Sequence, residues 1–279
     1  AWDGDWYRRA YFDDGTPLGS AQNDECRIDS LTQSWAVLSR AGQPGRAQRA
    51  MDAVQAHLVR RDARIVLLLT PPFDRMSHDP GYIKGYLPGI RENGGQYTHA
   101  ALWVVIALTR LGRGDAAMEL FHMINPINHT RTAEAVERYR GEPYAVAADV
   151  YGHPMHVGRG GWTWYTGSAG WMYQAAIDAF LGLRLQGSTF SLDPCIPAAW
   201  TEYTLVWTRG RTRYHVTVSN PHHANRGVAS AELDGIPVDP LQIPVSDDGR
   251  EHQVAIVMMR PGLQDSSARL GALAVPAAH

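Results

Sequence analysis

Residues 92–112 read ENGGQYTHAALWVVIALTRLG, and this run decides how the rest of the chain is to be read. Apolar side chains at 101, 102, 104, 105, 108 and 111 recur at helical spacing, so a helix is expected over Ala100 to Leu111, stopped at Gly112. An acid, an amide, two glycines and a histidine stand directly before it. His99 falls at the helix N-terminus, where unpaired backbone N–H groups and the helix dipole favour an anion, and Thr98 is placed to cap. Gly94 and Gly95 would let the backbone come close to a ligand. The same residues also fit a plain turn at Asn93-Gly94 with His99 as a capping or core residue.

A second stretch repeats the design. Residues 158–183, GRGGWTWYTGSAGWMYQAAIDAFLGL, give a Gly-rich aromatic loop, then Thr166-Gly167-Ser168, then a helix. Thr166 offers a hydroxyl and Gly167 a free N–H at a second helix start. Two such starts could converge on one tetrahedral anion, for which phosphate is the obvious candidate.

Further helical patterns run over residues 31–40, 46–60, 116–124, 131–139 and 168–185, separated by long loops rich in Gly, Pro, Asn and aromatics. Loops of this length in a compact domain are usually functional, so the site is expected on loops at one end of a helical array. After LDPCIP (192–197) the period becomes two: YTLVWTRG pairs with TRYHVTVSNP across Gly210-Arg211, and ASAELDGIPVD and HQVAIVMM follow as further strands. The expectation is therefore mostly α followed by an antiparallel β domain, with a loosely ordered tail and no internal repeat of fixed period.

Composition narrows the function classes. The 279 residues are 44% hydrophobic and 19% charged, an ordinary globular balance, and the net charge of −2 with no basic cluster argues against nucleic acid. Cys26 and Cys195 form neither a metal motif nor a disulfide framework. The longest apolar run, IVLLLTPPF (65–73), is broken by two prolines and falls short of a membrane span. Nine Trp and twelve Tyr against five Phe suit the mixed C–H and O–H surface of sugars, and large cores use them too. The start at Ala1, without Met or leader, reads as a piece of something longer.

The stretches AWDGDWYRRAYFDDGTPLGS (1–20), YIKGYLPGIRENGGQYTHAALW (82–103), LFHMINPINHTRT (120–132), EPYAVAADVYGHP (142–154) and GGWTWYTGSAGWMY (160–173) together resemble the inverting disaccharide phosphorylases. That family, glycoside hydrolase family 94, includes the cellobiose and chitobiose phosphorylases, and the combination is most similar to the phosphorylase-like region of cyclic β-1,2-glucan synthases. The resemblance implies that residues 1–187 are the later part of an (α/α)6 toroid and 188–262 a closing antiparallel β-sandwich, with 263–279 a tail. It implies a missing N-terminal part of the same protein as partner. A bacterial inner-membrane parent protein is compatible with it, and the localisation is left open.

Carried over position by position, the resemblance makes His99, Thr166 and Gly167 phosphate-binding residues, Glu92 a sugar-binding acid, and Tyr86 a residue of the neighbouring subsite. Many relatives carry a Gln near the position of Ala148; this chain has Ala148-Asp149, which fits a different linkage specificity. The implied reaction is direct displacement: bound phosphate attacks the anomeric carbon while a carboxylic acid protonates the leaving oxygen, turning a β-glucoside, most simply of a β-1,2-glucan, into α-glucose 1-phosphate. Inorganic phosphate is a co-substrate, and neither metal nor other cofactor is expected. The family's acid is an Asp in a Gly-Asp-Trp-Asn-Asp type motif that belongs upstream, so no catalytic residue is assigned in this chain. Asp3 and Asp5 of WDGDW match a later family segment and read as structural. Asp13-Asp14-Gly15 reads as a turn, Asp24-Glu25 as a solvated or capping pair, and His129, His153 and His156 as locally bonded loop histidines. His222-His223 lie in a strand connection, with too few ligands nearby for a metal. Two other readings stay open: a non-catalytic glucan-binding or chain-length-controlling region of a synthase, and an inverting glycoside hydrolase.

Overall fold

The computed structural model describes residues 1–164 and 166–261. Tyr165 and the tail expected at 263–279 lie outside the described residues. Contacts divide the chain into two units, Ala1–Arg184 and a second beginning at Leu185; the sequence expectation sets the change after residue 187.

Six α-helices stand in the first unit among the described residues: α1 (Ser30–Leu38), α2 (Pro44–His57), α3 (Thr98–Arg110), α4 (Gly114–Ile124), α5 (Ala133–Tyr139) and α6 (Thr166–Gln174). Each has a local reason to start or stop. Asp29 caps α1, accepting from the Thr32 amide at 2.8 Å, and Pro44 opens α2 where a missing N–H costs nothing. Gly112, at φ +74°, ends α3, with the Arg113 amide reaching back to the Leu108 carbonyl at 2.9 Å. Thr132 caps α5 through the Ala135 amide.

The centre of the unit is α3. It packs against α1, α4 and α6, and Leu102, Val104, Val105, Ala107 and Leu108 on it are fully enclosed. The sequence reads as an amphipathic helix, yet nearly every face is covered, because helices lie on several sides of it. The α6 pattern expected to run to residue 185 breaks earlier. It passes into a π-helical turn, Ala175–Phe180, and Gly182 at φ +73° releases the chain into the strand Leu183–Gln186.

A regularity links three of these helices. They open SLTQSW (30–35), THAALW (98–103) and TGSAGW (166–171), each with a hydroxyl residue first and Trp sixth. The steps from Ser30 to Thr98 and from Thr98 to Thr166 are both 68 residues. The three Trp rings meet edge to face, Trp35–Trp103 at 5.3 Å and Trp103–Trp171 at 5.5 Å between centroids. A fixed period therefore exists, against the sequence expectation. It escapes notice because only the first and sixth residues of each helix carry it.

In the second unit a five-stranded sheet has the order Glu202–Arg209, Thr212–Ser219, Glu251–Met258, Val228–Leu233, Ile236–Pro237. The expected hairpin across Gly210-Arg211 is present, with Arg209 opposite Thr212. The sheet is mixed and not purely antiparallel: Thr212–Ser219 and Glu251–Met258 run parallel, Val216 opposite Val254. The last strand cannot reach its neighbour by a hairpin, because residues 220–250 intervene, and such a crossover permits parallel entry. Alternation puts Tyr214, Val216, Val218, Val254, Ile256 and Met258 on the buried face. Phe190, from a second sheet of three strands, meets Trp207 and Tyr214 there at 5.0 and 5.3 Å.

Candidate functional site

The loop before α3 is held by its own side chains. Asn93, fully buried, accepts from the Phe73 amide at 2.7 Å and donates to the carbonyls of Phe73 and Tyr86, both at 2.8 Å. Gly94 and Gly95 are required by this packing. A Cβ on Gly95 would lie 2.9 Å from the Arg91 nitrogen and 3.0 Å from the Gly89 oxygen, and Gly94 sits at φ +84° against Pro72. Thr98 does not cap α3. Its amide donates to the Ala148 carbonyl at 2.8 Å, and its buried hydroxyl has no partner.

Those bonds lace three segments together. Gln96–Tyr97 pairs with Asp149–Val150, Ala148 donates its amide to the Trp162 carbonyl, and the Gly161 amide donates to the Asp149 carbonyl. The start of α3 and the aromatic loop ahead of α6 are thereby set around one cavity of about 160 Å³, lined by Tyr97, His99, Ala148, Gly167, Ser168 and Trp171. That is room for a few waters, at ~30 Å³ each, or for one small oxyanion. Of the residues expected to bind phosphate, His99 and Gly167 come together here. Thr166 is the exposed first residue of α6, next to Gly167 and not part of the lining.

Electrostatics prepare the cavity for a ligand. The His99 ring is held edge to face by Tyr97 at 4.5 Å and Trp103 at 4.8 Å. Burial lowers its pKa, with Glu92 pulling the other way, so the imidazole is neutral near pH 7 and offers one N–H. Burial raises the Tyr97 phenol, helped by the nearby carboxylate of Glu92, to which it hydrogen-bonds. Asp149, fully buried, is raised by burial against the opposing pull of the Trp162 amide and the Arg91 charge. Arg91, at φ +48°, lays its guanidinium over Trp162 at 4.3 Å and over Tyr86 at 5.6 Å. Tyr86 thus belongs to the Arg91 stack and Glu92 to the Tyr97 side; neither lines the cavity.

Sequence reasoning did not single out Tyr97, Arg91, Trp103 or Trp171, and named Asp149 only beside Ala148 as a departure from relatives. The signal for the two tryptophans was their shared sixth position; for Asp149 nothing in the sequence distinguishes a buried acid from a loop acid. A Cβ on Gly161 would stand 2.2 Å from Asp149 Oδ1, which is why glycine occupies that position. Six buried polar atoms in this region have no protein partner: Arg91 Nε, Glu92 Oε2, Gln96 Nε2, Thr98 Oγ1, Trp103 Nε1 and Asp149 Oδ2. Each unsatisfied group costs ~1–3 kcal/mol, so such a gathering marks a place for polar guests.

The residues set aside are engaged elsewhere. Asp3 bonds Arg8 at 2.6 Å, the Ser20 hydroxyl at 3.1 Å and the Ala21 amide at 2.6 Å, and Asp5 pairs with Arg49 on the surface. Asp14 accepts from the Thr16 amide in its turn, and Glu25 caps the amides of Arg75 and Met76. His129 stacks on Tyr139, His153 accepts from the Met155 amide, and His223 Nδ1 meets the Ala198 carbonyl. No group of three potential metal ligands occurs among the described residues, and no helix there is long and apolar enough to cross a membrane.

Known proteins give the arrangement its setting. The chain is 52% identical over 229 residues to the cyclic beta-(1,2)-glucan synthase NdvB of Rhizobium meliloti, a match covering 82% of this chain and 8% of that protein. It is 36% identical to the N,N'-diacetylchitobiose phosphorylase of Vibrio proteolyticus, over 92% of this chain and 32% of the relative. To the solabiose phosphorylase of Paenibacillus borealis it is 32% identical, over 92% of this chain and 33% of the relative. The chain thus spans a third or less of the length of these relatives. Residues 1–182 match the catalytic domain of the glycosyl hydrolase 94 superfamily, and the chain belongs to that family.

Proposed function

We propose that this chain is the nucleophile-holding part of an inverting phosphorylase acting on β-glucosides, with β-1,2-glucan as substrate and α-glucose 1-phosphate as product. The observation that carries the reading is the single cavity shared by His99 and Gly167. In it a neutral imidazole N–H and the backbone N–H of Gly167, in the first turn of α6, face one oxyanion, with the Thr166 hydroxyl at the rim. Phosphate held there attacks the anomeric carbon from the side opposite the glycosidic oxygen, which leaves after protonation. The donor sugar lies toward Glu92, oriented through Tyr97, and the Arg91–Tyr86 stack flanks it. On this reading the helical unit is the later part of an (α/α)6 toroid, whose consecutive inner helices are α1, α3 and α6, as their 68-residue spacing suggests. The second unit is the closing β-sandwich.

On this reading the proton donor is the Asp of the family's Gly-Asp-Trp-Asn-Asp type motif, a motif that these 279 residues do not contain. General acid assistance contributes ~10²–10⁴-fold, so the chain alone turns over β-1,2-glucooligosaccharides slower than the complete enzyme by about that factor. The test is calorimetric titration of the 279-residue chain with inorganic phosphate. His99→Ala should weaken phosphate by about tenfold to a hundredfold, the loss expected for a donor to a charged group. Phosphate affinity indifferent to His99 would sink the proposal.

A further inference from the structure

The cavity shared by His99 and Gly167 suits an anion, yet its wall carries no fixed cation. Among the described residues its lining, Tyr97, His99, Ala148, Gly167, Ser168 and Trp171, includes no lysine or arginine. Arg91 is a fixed cation of this region and is committed elsewhere: its guanidinium lies over Trp162 at 4.3 Å and Tyr86 at 5.6 Å, and it answers the charge of buried Asp149. A divalent oxyanion in the cavity meets the N-terminal end of α6, equivalent to about half a positive charge, together with N–H donors. More than one negative charge is left uncompensated between aromatic walls, where burial makes that costly.

One lining group can supply the missing charge. The His99 ring is fixed edge to face by Tyr97 at 4.5 Å and Trp103 at 4.8 Å, so it can gain a proton without moving. In the empty cavity burial keeps it neutral near pH 7, while Glu92 favours the charged form. An anion against the ring adds to the pull of Glu92 and reverses the balance. No other lining residue can take this part. Tyr97 is a phenol that burial pushes up, and α6 presents Gly167, Ser168 and Trp171, which do not titrate near neutral pH. Behind the lining, Asp149 and Arg91 offset each other. We infer that a divalent oxyanion enters this cavity together with one proton, which His99 carries as an imidazolium. The proton comes from solvent and enters the ring nitrogen that is bare in the neutral form, while the anion keeps its charge. This rests on the phosphorylase reading above and adds to it a dependence of phosphate occupancy on pH.

The test is calorimetric titration of the 279-residue chain with sulfate and with inorganic phosphate, in two buffers of different ionisation heat, which counts the protons taken up. Sulfate accepts no proton near neutral pH, so any uptake on binding it is uptake by the protein. The wild-type chain should take up about one proton per sulfate at pH 7, and its sulfate affinity should fall about tenfold between about pH 6.5 and 7.5. His99→Gln keeps a neutral N–H donor that cannot be protonated, so its sulfate binding should show neither uptake nor this slope. Sulfate bound by the wild-type chain without uptake overturns the inference, as does uptake undiminished in folded His99→Gln. Phosphate bound while sulfate is refused also overturns it. If circular dichroism shows His99→Gln unfolded, the wild-type proton count and slope decide. Failure of the wild-type chain to bind phosphate sinks the phosphorylase reading instead.

Discussion

Helices α3 and α6 open with the same frame, a hydroxyl residue and then Trp in sixth place, and they contribute the two halves of one candidate anion site. Their surroundings differ. In α3 ten of thirteen residues are buried, whereas in α6 only Ser168 of nine is. The sequences explain why: THAALWVVIALTR carries apolar side chains on all sides, whereas TGSAGWMYQ has two glycines and two hydroxyl residues in its first five positions, which gives it little to bury and a weak propensity. One half of the site therefore shares the stability of the core, and the other rests on that core through Trp171 and Met172 with most of its residues uncovered.

The contrast is easiest to break with truncations. Leu102→Ala, at a fully enclosed position of α3, should cost ~2–5 kcal/mol in urea unfolding, while Tyr173→Ala, 67% exposed on α6, should change stability by no more than ~0.5 kcal/mol. Equal losses would mean that α6 is as much core as α3. Hydrogen exchange sharpens the same point. Amides of α3 should exchange only with global unfolding and those of α6 much sooner, and phosphate should slow the first turn of α6 while leaving the interior of α3 unchanged. A smaller effect concerns pH. His99 has a lowered pKa in the folded chain, so the unfolded state binds the proton first and stability should fall as pH drops from about 6.5 through the lowered value. His99→Gln should flatten that part of the profile. His252 provides the opposite sign. Asp234 at 2.7 Å raises its pKa, so its contribution is complete below about 6.5 and is lost as pH rises through the raised value. His252→Gln should remove that alkaline slope, read as melting temperature between pH 6 and 8.

Much of the helical half was legible because period and punctuation agree: Gly112 ends α3 as expected, while the helix expected over 46–60 starts earlier, at Pro44, and ends earlier, at His57. His99 and Gly167 could be paired before any coordinates, since both sit at helix starts after glycine-rich loops. The roles of Gly94, Gly95 and Thr98 were not legible. A glycine that admits a ligand and one that admits its own backbone are written alike, and whether a threonine caps depends on what takes its amide. The tryptophan series was visible in principle, at 35, 103 and 171, but a repeat carried by two side chains in every 68 residues is hidden from any reading that examines one helix at a time. The parallel entry of the last strand was invisible, because alternation defines a strand's faces and not its neighbours.

That last strand occupies the middle of its sheet, between Thr212–Ser219 and Val228–Leu233. During synthesis, every other strand of the sheet leaves the ribosome before the one that joins them. Until residues 251–258 emerge, two ladder edges face each other across a gap one strand wide, with the Tyr214, Val216 and Val218 side chains uncovered beside it. An open slot of that kind accepts any extended segment of suitable alternation. A nonsense codon within Glu251–Met258 would therefore leave no shortened but serviceable sheet; it would leave a receptor for foreign strands, so such truncations should appear in inclusion bodies and as chaperone clients, well before any assay of sugar chemistry could register their loss.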